Sequence, residues 1–307
     1  MRRVARRLVW TLAASSMLLA ACGGGDSGVQ VSGPYGRQPK VTIPAEAPSG
    51  KLQIDTPIKG KGAEVQKGDL IFANYVGYTW NAKSNHMLAS SYGGGRPGAF
   101  PSGSLVPGLE KALDGRKVGT RVVAVVPPKE GYGANGYPAL QIGGADSLVY
   151  VLDVVGRYPK TAAAHGAAKS QRDPRLPQVS AAAAGQAPKV TVPQAPAPRK
   201  LAARTVIEGT GPVVKGGQVL ALQYTGVLWR TGKVFDSSWQ TGRVYATTIG
   251  TGQVVKGWDL GLVGQRVGSR VLLVVPPAWG YGPKGLKQVG IKGTDTLVFA
   301  VDIVGAH

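Results

Sequence analysis

Three short clusters in the second half of the chain combine aromatic residues with glycine and a single acid. Val254–Trp258 ends in a Gly-Trp pair, Val234–Ser238 places Asp236 directly after a phenylalanine, and Trp279–Gly282 holds a tyrosine between two glycines. Together the clusters predict a small aromatic pocket with one polar group. The two serines after Asp236 have no partnered His or Lys that could activate them as nucleophiles. The residues therefore indicate a site that binds and twists a peptide and does not cut it.

The elements that must position these clusters follow from length and composition. The chain has 307 residues, enough for about two domains of ordinary size. It contains 46 Gly and 22 Pro, which favours β-rich domains joined by turns. A single cysteine excludes an intrachain disulfide, and three scattered histidines give no metal-ligand spacing. We therefore expect neither a metal nor a cofactor.

The formal net charge of +20 is typical of proteins that bind nucleic acid. Here the basic residues are spread over the N-terminal segment, the middle of the chain and the domain surfaces, and they form no basic helix. We therefore expect no nucleic-acid partner. A weak attraction to anionic lipid or cell-wall polymer is the more physical consequence of this charge.

The first 21 residues have the pattern of a secretory signal. Four arginines within residues 1–7 precede an apolar run, Leu8–Ala21, that is too short to span a membrane as a helix. The run leads into Leu19–Gly23, which resembles the lipobox of bacterial lipoproteins. The resemblance implies cleavage before Cys22, lipidation of its sulfur, and anchoring at the extracytoplasmic face of the cell membrane. A plain signal peptide followed by a stray thiol is the alternative.

Two stretches of the chain lack any sustained hydrophobic period. Residues 22–50 are rich in Gly, Pro and Ser, which predicts a disordered tether. Residues 159–200 combine short alanine runs with several prolines and scattered Lys or Arg, which predicts a semi-extended linker without a core. The regions left to fold are residues 51–158 and 201–307.

Short apolar runs dominate the first of these regions. Leu70–Val76, Thr120–Val126 and Ser147–Val155 are rich in β-branched residues, and each predicts a strand. Between the first two, Pro107–Leu113 is the only predicted helix, because proline suits a first helical turn and Gly115 lies just beyond its end. The region is therefore predicted to be mostly strand with one short helix.

The same pattern returns in the second region. One segment, Leu88–Ser91, matches Phe235–Ser238 at an offset of 147 residues, which places a length change in a loop. The chain therefore contains two copies of one domain. The matches at an offset of 149 residues are Asn74–Gly77 with Gln223–Gly226, Val106–Leu109 with Val255–Trp258, Val118–Arg121 with Val267–Arg270, Gly131–Gly133 with Gly280–Gly282, and Asp146–Tyr150 with Asp295–Phe299.

The second copy carries six motifs in a fixed order over about residues 203–305: Gln223–Gly226, Phe235–Ser238, Val254–Trp258, Val267–Gly268, Tyr281–Gly282 and Thr296–Phe299. In this order they resemble the FKBP-type peptidyl-prolyl cis-trans isomerases. The resemblance implies an α+β fold in each copy, with a bent antiparallel sheet wrapped on one short helix and a pocket between them. It also implies peptidyl-prolyl isomerase activity without a cofactor, proline-containing polypeptides as substrates, and inhibition by macrolide FKBP ligands.

The resemblance also assigns pocket residues by position. Trp258 would form the floor beneath a proline ring, and the other aromatic residues would form the wall. The Val255 N–H and the Tyr281 hydroxyl would bind substrate carbonyls, and Asp236 would be the polar group. The assigned catalytic residues are Tyr224, Phe235, Asp236, Val255, Trp258, Tyr281 and Phe299, and the assigned substrate-binding residues are Tyr245, Val254 and Ile291.

The first copy departs from the pattern at the pocket. Leu88 and Ala89 stand where the second copy has Phe-Asp, and Leu109 stands in place of the tryptophan. Arg96, in a glycine-rich insertion, is expected near the position of a wall aromatic. We therefore predict that the first copy folds but isomerises weakly or not at all. It would then space the second copy from the membrane or hold unfolded clients.

Three functions are compatible with the sequence. The leading hypothesis is a lipid-anchored isomerase that assists the folding of exported proteins, with the second copy as the catalyst. The second is a non-catalytic holdase or adhesion module, suggested by the degenerate first copy and the cationic surface. The third is a cell-wall scaffold held by its charge, which moderate salt would release because exposed charges are screened.

Overall fold

The computed structural model describes residues 27–183 and 185–307 of the chain. The predicted signal segment, its lipobox and Cys22 lie outside the described residues, and the predictions made for them stay predictions. In the part of the chain that the structure describes, no helix is both long and apolar enough to cross a membrane.

Both copies of the repeat fold into strands and short helices in a similar order. The first copy contains β1 (Gln30–Ser32), β2 (Lys40–Thr42), β3 (Gln53–Ile58), β4 (Leu70–Trp80), β5 (Asn85–Ser90), β6 (Gly98–Pro101), α1 (Pro107–Leu113), β7 (Arg121–Val126) and β8 (Ser147–Tyr158). The second contains β9 (Ala167–Ala168), β10 (Gln178–Val179), β11 (Val190–Thr191), β12 (Ala202–Glu208), β13 (Val219–Leu228), β14 (Val234–Ser237), α2 (Ser238–Thr241), β15 (Tyr245–Thr248), α3 (Lys256–Leu262), β16 (Arg270–Val275) and β17 (Leu297–Ala306). The helix and the three strands predicted in the first copy are confirmed.

Each copy builds one antiparallel sheet around its helix. The strand order is β3-β7-β8-β4-β5 in the first copy, and β6 also pairs with β4. In the second it is β14-β13-β17-β16-β12-β9, and β15 also pairs with β13. Equivalent bulges, at Phe72/Ala73 in β4 and at Ala221/Leu222 in β13, bend the long strands. The α+β fold expected from the sequence is confirmed.

The helix of each copy lies close against the sheet because glycine faces it. A Cβ at Gly257 in α3 would lie 2.6 Å from a methyl of Val275, and a Cβ at Gly108 in α1 would meet Val126 at 2.4 Å. The cores are then filled by the apolar side of each helix, with Trp258 and Leu262 in the second copy. Because glycine allows this approach, the tryptophan side chain reaches the concave face of the sheet.

Residues 27–50 are not a disordered tether, which corrects the sequence prediction. β1 and β2 form a two-stranded sheet, and its valines pack on the outer face of the domain sheet. Strands β7 and β8 carry apolar side chains on both faces of the sheet. Covering the outer face therefore removes apolar surface from water and stabilises the domain. The outer cluster consists of Val29, Val31, Val41, Ile43, Val76, Tyr78, Trp80, Val123, Val125, Val149 and Val151.

The predicted linker, residues 159–200, is corrected in the same way. β9 extends the sheet edge at β12, and β10 pairs with β11 over the outer face of the second sheet. Val179 and Val190 pack there on Trp229 and Val274. Each domain therefore carries an N-terminal arm, residues 27–50 in the first and 159–200 in the second. The arm packs on its domain, although its composition predicted a segment without fixed structure.

A buried ion pair in each sheet helps to hold the arm. In the first domain the Arg121 Nε lies 2.6 Å from the Asp153 Oδ1, and both side chains are about fully buried. The remaining guanidinium N–H groups donate to the backbone carbonyls of Gly33 and Pro34 at 2.7 and 2.9 Å. A buried guanidinium needs an acceptor for each of its N–H donors, and the carbonyls of the arm are acceptors that Arg121 needs in addition to Asp153.

The second domain repeats this arrangement. Arg270 and Asp302 form the equivalent buried pair at 2.6 Å, and Asp302 also accepts from the Ala164 N–H at 2.9 Å. A tryptophan indole adds a second fastening in each copy. Trp229 Nε1 donates to the Ala195 carbonyl at 3.0 Å, as Trp80 Nε1 does to the Glu46 carbonyl.

The two domains pack against each other through equivalent ends of their sheets. Tyr158 ends β8, His307 follows β17, and their positions in the repeat are equivalent; the Tyr158 hydroxyl lies 2.7 Å from His307 Nε2. The Phe72 and His307 ring centroids are 4.6 Å apart. Burial lowers the pKa of His307, which favours the neutral imidazole at the interface. The apolar cluster between the domains consists of Leu70, Phe72, Val155, Tyr158, Val219, Ala221, Val244, Ala246 and Val304.

Candidate functional site

A cavity of about 370 Å³ opens between α3 and the concave face of the second sheet. Nine of the ten residues that the sequence assigned to the pocket line it. The exception is Ile291, which is 3 % exposed and packs in the same core cluster as Trp258 and Phe299, so its substrate-binding role stays a prediction. The lining consists of Tyr224, Phe235, Asp236, Tyr245, Gln253, Val254, Val255, Trp258, Tyr281 and Phe299.

The floor of this cavity, the aromatic pocket, is the Trp258 indole. Trp258 is 4 % exposed and lies in the first turn of α3, which starts at Lys256 after an extended Val255. Its ring meets Tyr224 and Phe299 edge-to-face, at centroid distances of 5.2 and 5.3 Å. Edge-to-face packing on two sides fixes the plane of an aromatic ring. The indole therefore offers a rigid surface for a small apolar ring.

The wall depends on a glycine in the neighbouring strand. The Phe235 and Phe299 rings meet at 5.6 Å and 81°. Phe235 on β14 lies directly over Gly226 on β13, where an added Cβ would come within 2.7 Å of the ring. A side chain at position 226 would push Phe235 out of the wall, so the glycine of the Gln223–Gly226 motif has a packing role.

The polar group of the pocket is a tyrosine–aspartate pair. The Tyr224 hydroxyl donates to the Asp236 Oδ2 at 2.6 Å. Burial, and then the hydrogen bond and charge of Asp236, raise the pKa of Tyr224, so the phenol stays protonated. The carboxylate is thereby held at the rim, on the side of the cavity where β14 ends.

Two further donors belong to residues that line the cavity. Tyr281 is 38 % exposed, and burial, followed by the charge of Asp236, raises the pKa of its hydroxyl, which therefore remains a donor. The Val255 N–H precedes the helix and makes no backbone hydrogen bond within the described residues. An apolar floor with two donors at its edge suits a ring flanked by peptide carbonyls.

The first copy places different residues around the same location. Gly77 pairs with Ala89 where Gly226 pairs with Asp236, so the carboxylate has no counterpart. Leu109 takes the place of the floor tryptophan, as predicted. The Tyr150 ring lies over Gly77, 2.7 Å from an added Cβ. Gly226 is the equivalent glycine of the second copy, and there the covering ring is Phe235.

The structure corrects the expectation for Arg96. Gly98 pairs with Ala73 as Tyr245 pairs with the equivalent Leu222, so glycine and not arginine replaces this wall aromatic. Tyr75 occupies the space instead, since a Cβ at Gly98 would lie 2.7 Å from its ring. Tyr75 and Phe100 pack edge-to-face at 5.4 Å.

Sequence reasoning missed the lining residue Gln253 and both arms. Nothing in its type or spacing distinguishes Gln253 from other loop glutamines. The arms had a signal in the repeat itself. Gln30–Ser32 recurs as Gln178–Ser180, and Pro39–Thr42 recurs as Pro188–Thr191, so both segments were copied together with the domain.

Comparison with known proteins gives the same family for both copies. The family described as FKBP-type peptidyl-prolyl cis-trans isomerase matches residues 61–155 and 211–304, together more than half of the chain. A Streptomyces anulatus FK506-binding protein is 39 % identical over 117 residues, which is 38 % of this chain and 94 % of the relative. A probable FK506-binding protein of Corynebacterium glutamicum is 35 % identical over 119 residues, or 39 % of this chain and 98 % of the relative.

Among solved structures, the crystal structure of AtFKBP13 is 33 % identical and covers 36 % of this chain and 96 % of its own, with a TM-score of 0.33. The two matched segments lie in the two domains, and the second one includes all the residues that line the aromatic pocket. The chain belongs to the FKBP-type peptidyl-prolyl cis-trans isomerase family and carries two copies of its domain in tandem.

Proposed function

We propose that the second domain catalyses cis–trans isomerisation of X–Pro bonds in exported polypeptides at the outer face of the cell membrane. The observation that carries this proposal is the convergence of nine assigned residues on one cavity in the second copy. In the first copy, Leu109, Ala89 and Gly98 stand where the second has its floor, its carboxylate and a wall aromatic. The family binds proline-containing substrates and FK506-type macrolides, and the second pocket is where we expect both to bind.

The chemistry is a bond rotation. Resonance holds the amide planar and opposes rotation by about 18–20 kcal/mol, and proline lowers the preference for trans so that both isomers are populated. The planar amide is more polar than the twisted one. A pocket floored by Trp258 and walled by Phe235 and Phe299 excludes water and so disfavours the planar form more.

The hydrogen-bonding groups would hold the peptide on either side of the rotating bond. The Val255 N–H and the Tyr281 hydroxyl can donate to carbonyls that flank the prolyl ring, while Trp258 contacts the ring itself. Asp236, held in place by the hydrogen bond from Tyr224, presents a carboxylate beside the rotating amide. The charge distribution of the amide changes as the bond twists, and the carboxylate can interact with that change. No covalent intermediate is required, and each group acts by binding the twisted form better.

Membrane attachment is the second part of the proposal and depends on Cys22. The arm is packed from Ser27 onward, so four residues, or five Cα–Cα steps, separate the lipidated cysteine from the domain. A fully extended chain of that length reaches about 18 Å. The first domain would then lie next to the lipid headgroups. The net charge of +20 falls to +16 when the four arginines of residues 1–7 are cleaved off, and it would still favour an anionic surface.

The test is a protease-coupled assay of the full-length chain on a short prolyl peptide. Trp258→Ala and Asp236→Ala are the pocket variants, and Leu109→Ala is the matched control at the equivalent helix position of the first domain. We expect wild-type and Leu109→Ala chains to isomerise equally and both pocket variants to be impaired. Equal activity in all four chains would remove the assignment. Complete inactivity with suppressed client aggregation would instead favour the non-catalytic holdase.

A further inference from the structure

A second cavity, of about 610 Å³, lies where the two domains meet, and we call it the interdomain cleft. Tyr224 and Tyr245 line both the aromatic pocket and this cleft, so the two spaces are adjoining. The first domain, which lacks counterparts of Phe235, Tyr245 and Trp258, supplies part of its wall. The cleft is lined by Leu70, Ala99, Pro101, Tyr224, Ser238, Thr241, Arg243, Val244, Tyr245 and Ala246.

Two edge strands, one from each domain, border the interdomain cleft. Within the described residues, β6 pairs only with β4, and β15 pairs only with β13. Ala99 and Pro101 on β6 and Ala246 on β15 line the cleft. The outer edge of such a strand keeps backbone N–H and C=O groups that a further extended chain can pair with. The cleft therefore presents the backbone chemistry that an extended polypeptide requires.

Apart from two tyrosines, the uncharged side chains of the cleft are small or apolar. Arg243 is the single charged residue in the lining, and its guanidinium enters none of the ion pairs formed among the described residues. An exposed, unpaired guanidinium attracts a carboxylate, and its planar N–H groups can donate two parallel hydrogen bonds to the two carboxylate oxygens. The cleft thus favours an apolar segment that carries an acidic residue.

We infer that the interdomain cleft binds the extended client segment that flanks the prolyl residue held in the aromatic pocket. A chain that leaves the pocket past Tyr245 enters the cleft directly, because that residue borders both. The first domain then takes part in client selection although its own pocket is degenerate. This inference rests on the proposed function and adds the substrate class, which is a long segment with apolar flanks and an acid near Arg243.

The experiment compares two peptides on the full-length chain. One is a short prolyl tetrapeptide, and the other carries the same core between apolar flanks with one Glu on each side. We expect kcat/KM to be about tenfold higher for the long peptide, as a binding gain of about 1.4 kcal/mol would produce. Ala99→Glu puts a like charge and bulk into the cleft from the first domain, and Arg243→Glu reverses the charge from the second. Each variant should bring the long-to-short ratio close to one.

Ala45→Glu is the matched control, because Ala45 is an exposed alanine of the first domain outside the cleft lining. It should leave the long-to-short ratio as in the wild type. The inference is overturned if the wild-type ratio is one, if neither cleft variant changes the ratio, or if Ala45→Glu changes it equally. Circular dichroism of each variant separates these outcomes from misfolding.

Failure of the proposed function would be visible separately. If the wild-type chain does not isomerise the short peptide, catalysis by the second domain is refuted whatever the cleft does. The cleft is then judged by fluorescence anisotropy of the labelled long peptide. Weaker binding by both Ala99→Glu and Arg243→Glu would support the cleft, and affinities equal to the wild type would overturn it.

Discussion

The first and second domains share the interactions that hold the arm on the sheet. The buried pair of Arg121 with Asp153 returns as Arg270 with Asp302, each at 2.6 Å between guanidinium and carboxylate. Both arms cover the outer sheet face, and both tryptophan indoles of the outer faces donate to an arm carbonyl at 3.0 Å. These residues hold the sheet and arm together, and they are the same in two domains that differ elsewhere.

The two domains differ where a ligand would bind. Against Trp258, Asp236 and Tyr245 of the second, the first has leucine, alanine and glycine. Aromatic residues near the site then fill space, as Tyr75 does beside Gly98. The comparison shows that the fold does not require the pocket.

The largest effect expected is on the shared scaffold. Asp302→Ala leaves the Arg270 guanidinium buried and unpaired, and Asp153→Ala does the same to Arg121. Each should lower the free energy of unfolding of its domain by about 3–5 kcal/mol. Urea unfolding with hydrogen exchange would assign the loss to a domain. The paired change of Arg270→Met with Asp302→Leu should cost much less, and an equal cost would contradict the role given to the ion pair.

The next effect separates the two pockets. Trp258→Leu gives the second domain the residue that the first domain has, and it removes an aromatic anchor worth about 2 kcal/mol or more. We expect kcat/KM for a prolyl tetrapeptide to fall roughly thirtyfold. The reverse change, Leu109→Trp, should add no measurable activity because the first copy also lacks the carboxylate and Tyr245. Activity gained by Leu109→Trp alone would show that the floor by itself decides catalysis.

A smaller effect is expected from the polar pair. Asp236→Ala removes the acceptor of the Tyr224 hydroxyl, and Tyr224→Phe removes the donor. Hydrogen bonds to charged groups contribute about 1.5–3 kcal/mol, but Asp236 is exposed, so solvent reduces this to about 1 kcal/mol. We expect roughly a fivefold loss of kcat/KM in each variant. The double variant should lose no more than either single one, and fully additive losses would mean that the two residues act separately.

The smallest effect concerns the interface between the domains. Burial lowers the pKa of His307 below its usual 6.5. Below pH 6.5, His307 binds a proton when it is exposed in the unfolded chain but stays neutral when it is buried at the interface. The folded state therefore loses stability as pH falls from about 6.5 toward the lowered pKa. Urea midpoints between about pH 7.5 and 5 should drop more for the wild type than for His307→Gln. Parallel pH curves would remove His307 from the interface account.

The sequence predicted the repeated core and most of the pocket, since both depend on local signals. Runs such as Thr120–Val126 identify buried strands, and Pro107 and Gly115 bracket α1. Pocket aromatics such as Trp258 follow from a resemblance whose motifs stand in order. The sequence could not show that Ile291 packs in the core beside the pocket, because an apolar residue next to the pocket loop can point to either core or cavity, and only packing decides.

The arms and the domain interface could not be predicted from such signals. Val31 and Val41 are few among Gly, Pro and Ser, and what orders them is a sheet face built from residues far along the chain. Tyr158 ends β8 and His307 follows β17, and a polar aromatic residue is ordinary at the end of a strand. Their contact exists because two domains meet across it, and a property of two surfaces has no local sequence pattern.

The central claim is that one of two homologous sites works. Titrating the isomerase activity of the full-length chain with a tightly bound FK506-type macrolide counts the pockets that are intact enough to bind it. We predict that activity falls linearly and reaches zero at one equivalent of macrolide per chain. An end point at two equivalents would show that the first pocket also binds the macrolide, and would contradict the conclusion that only the second pocket is intact.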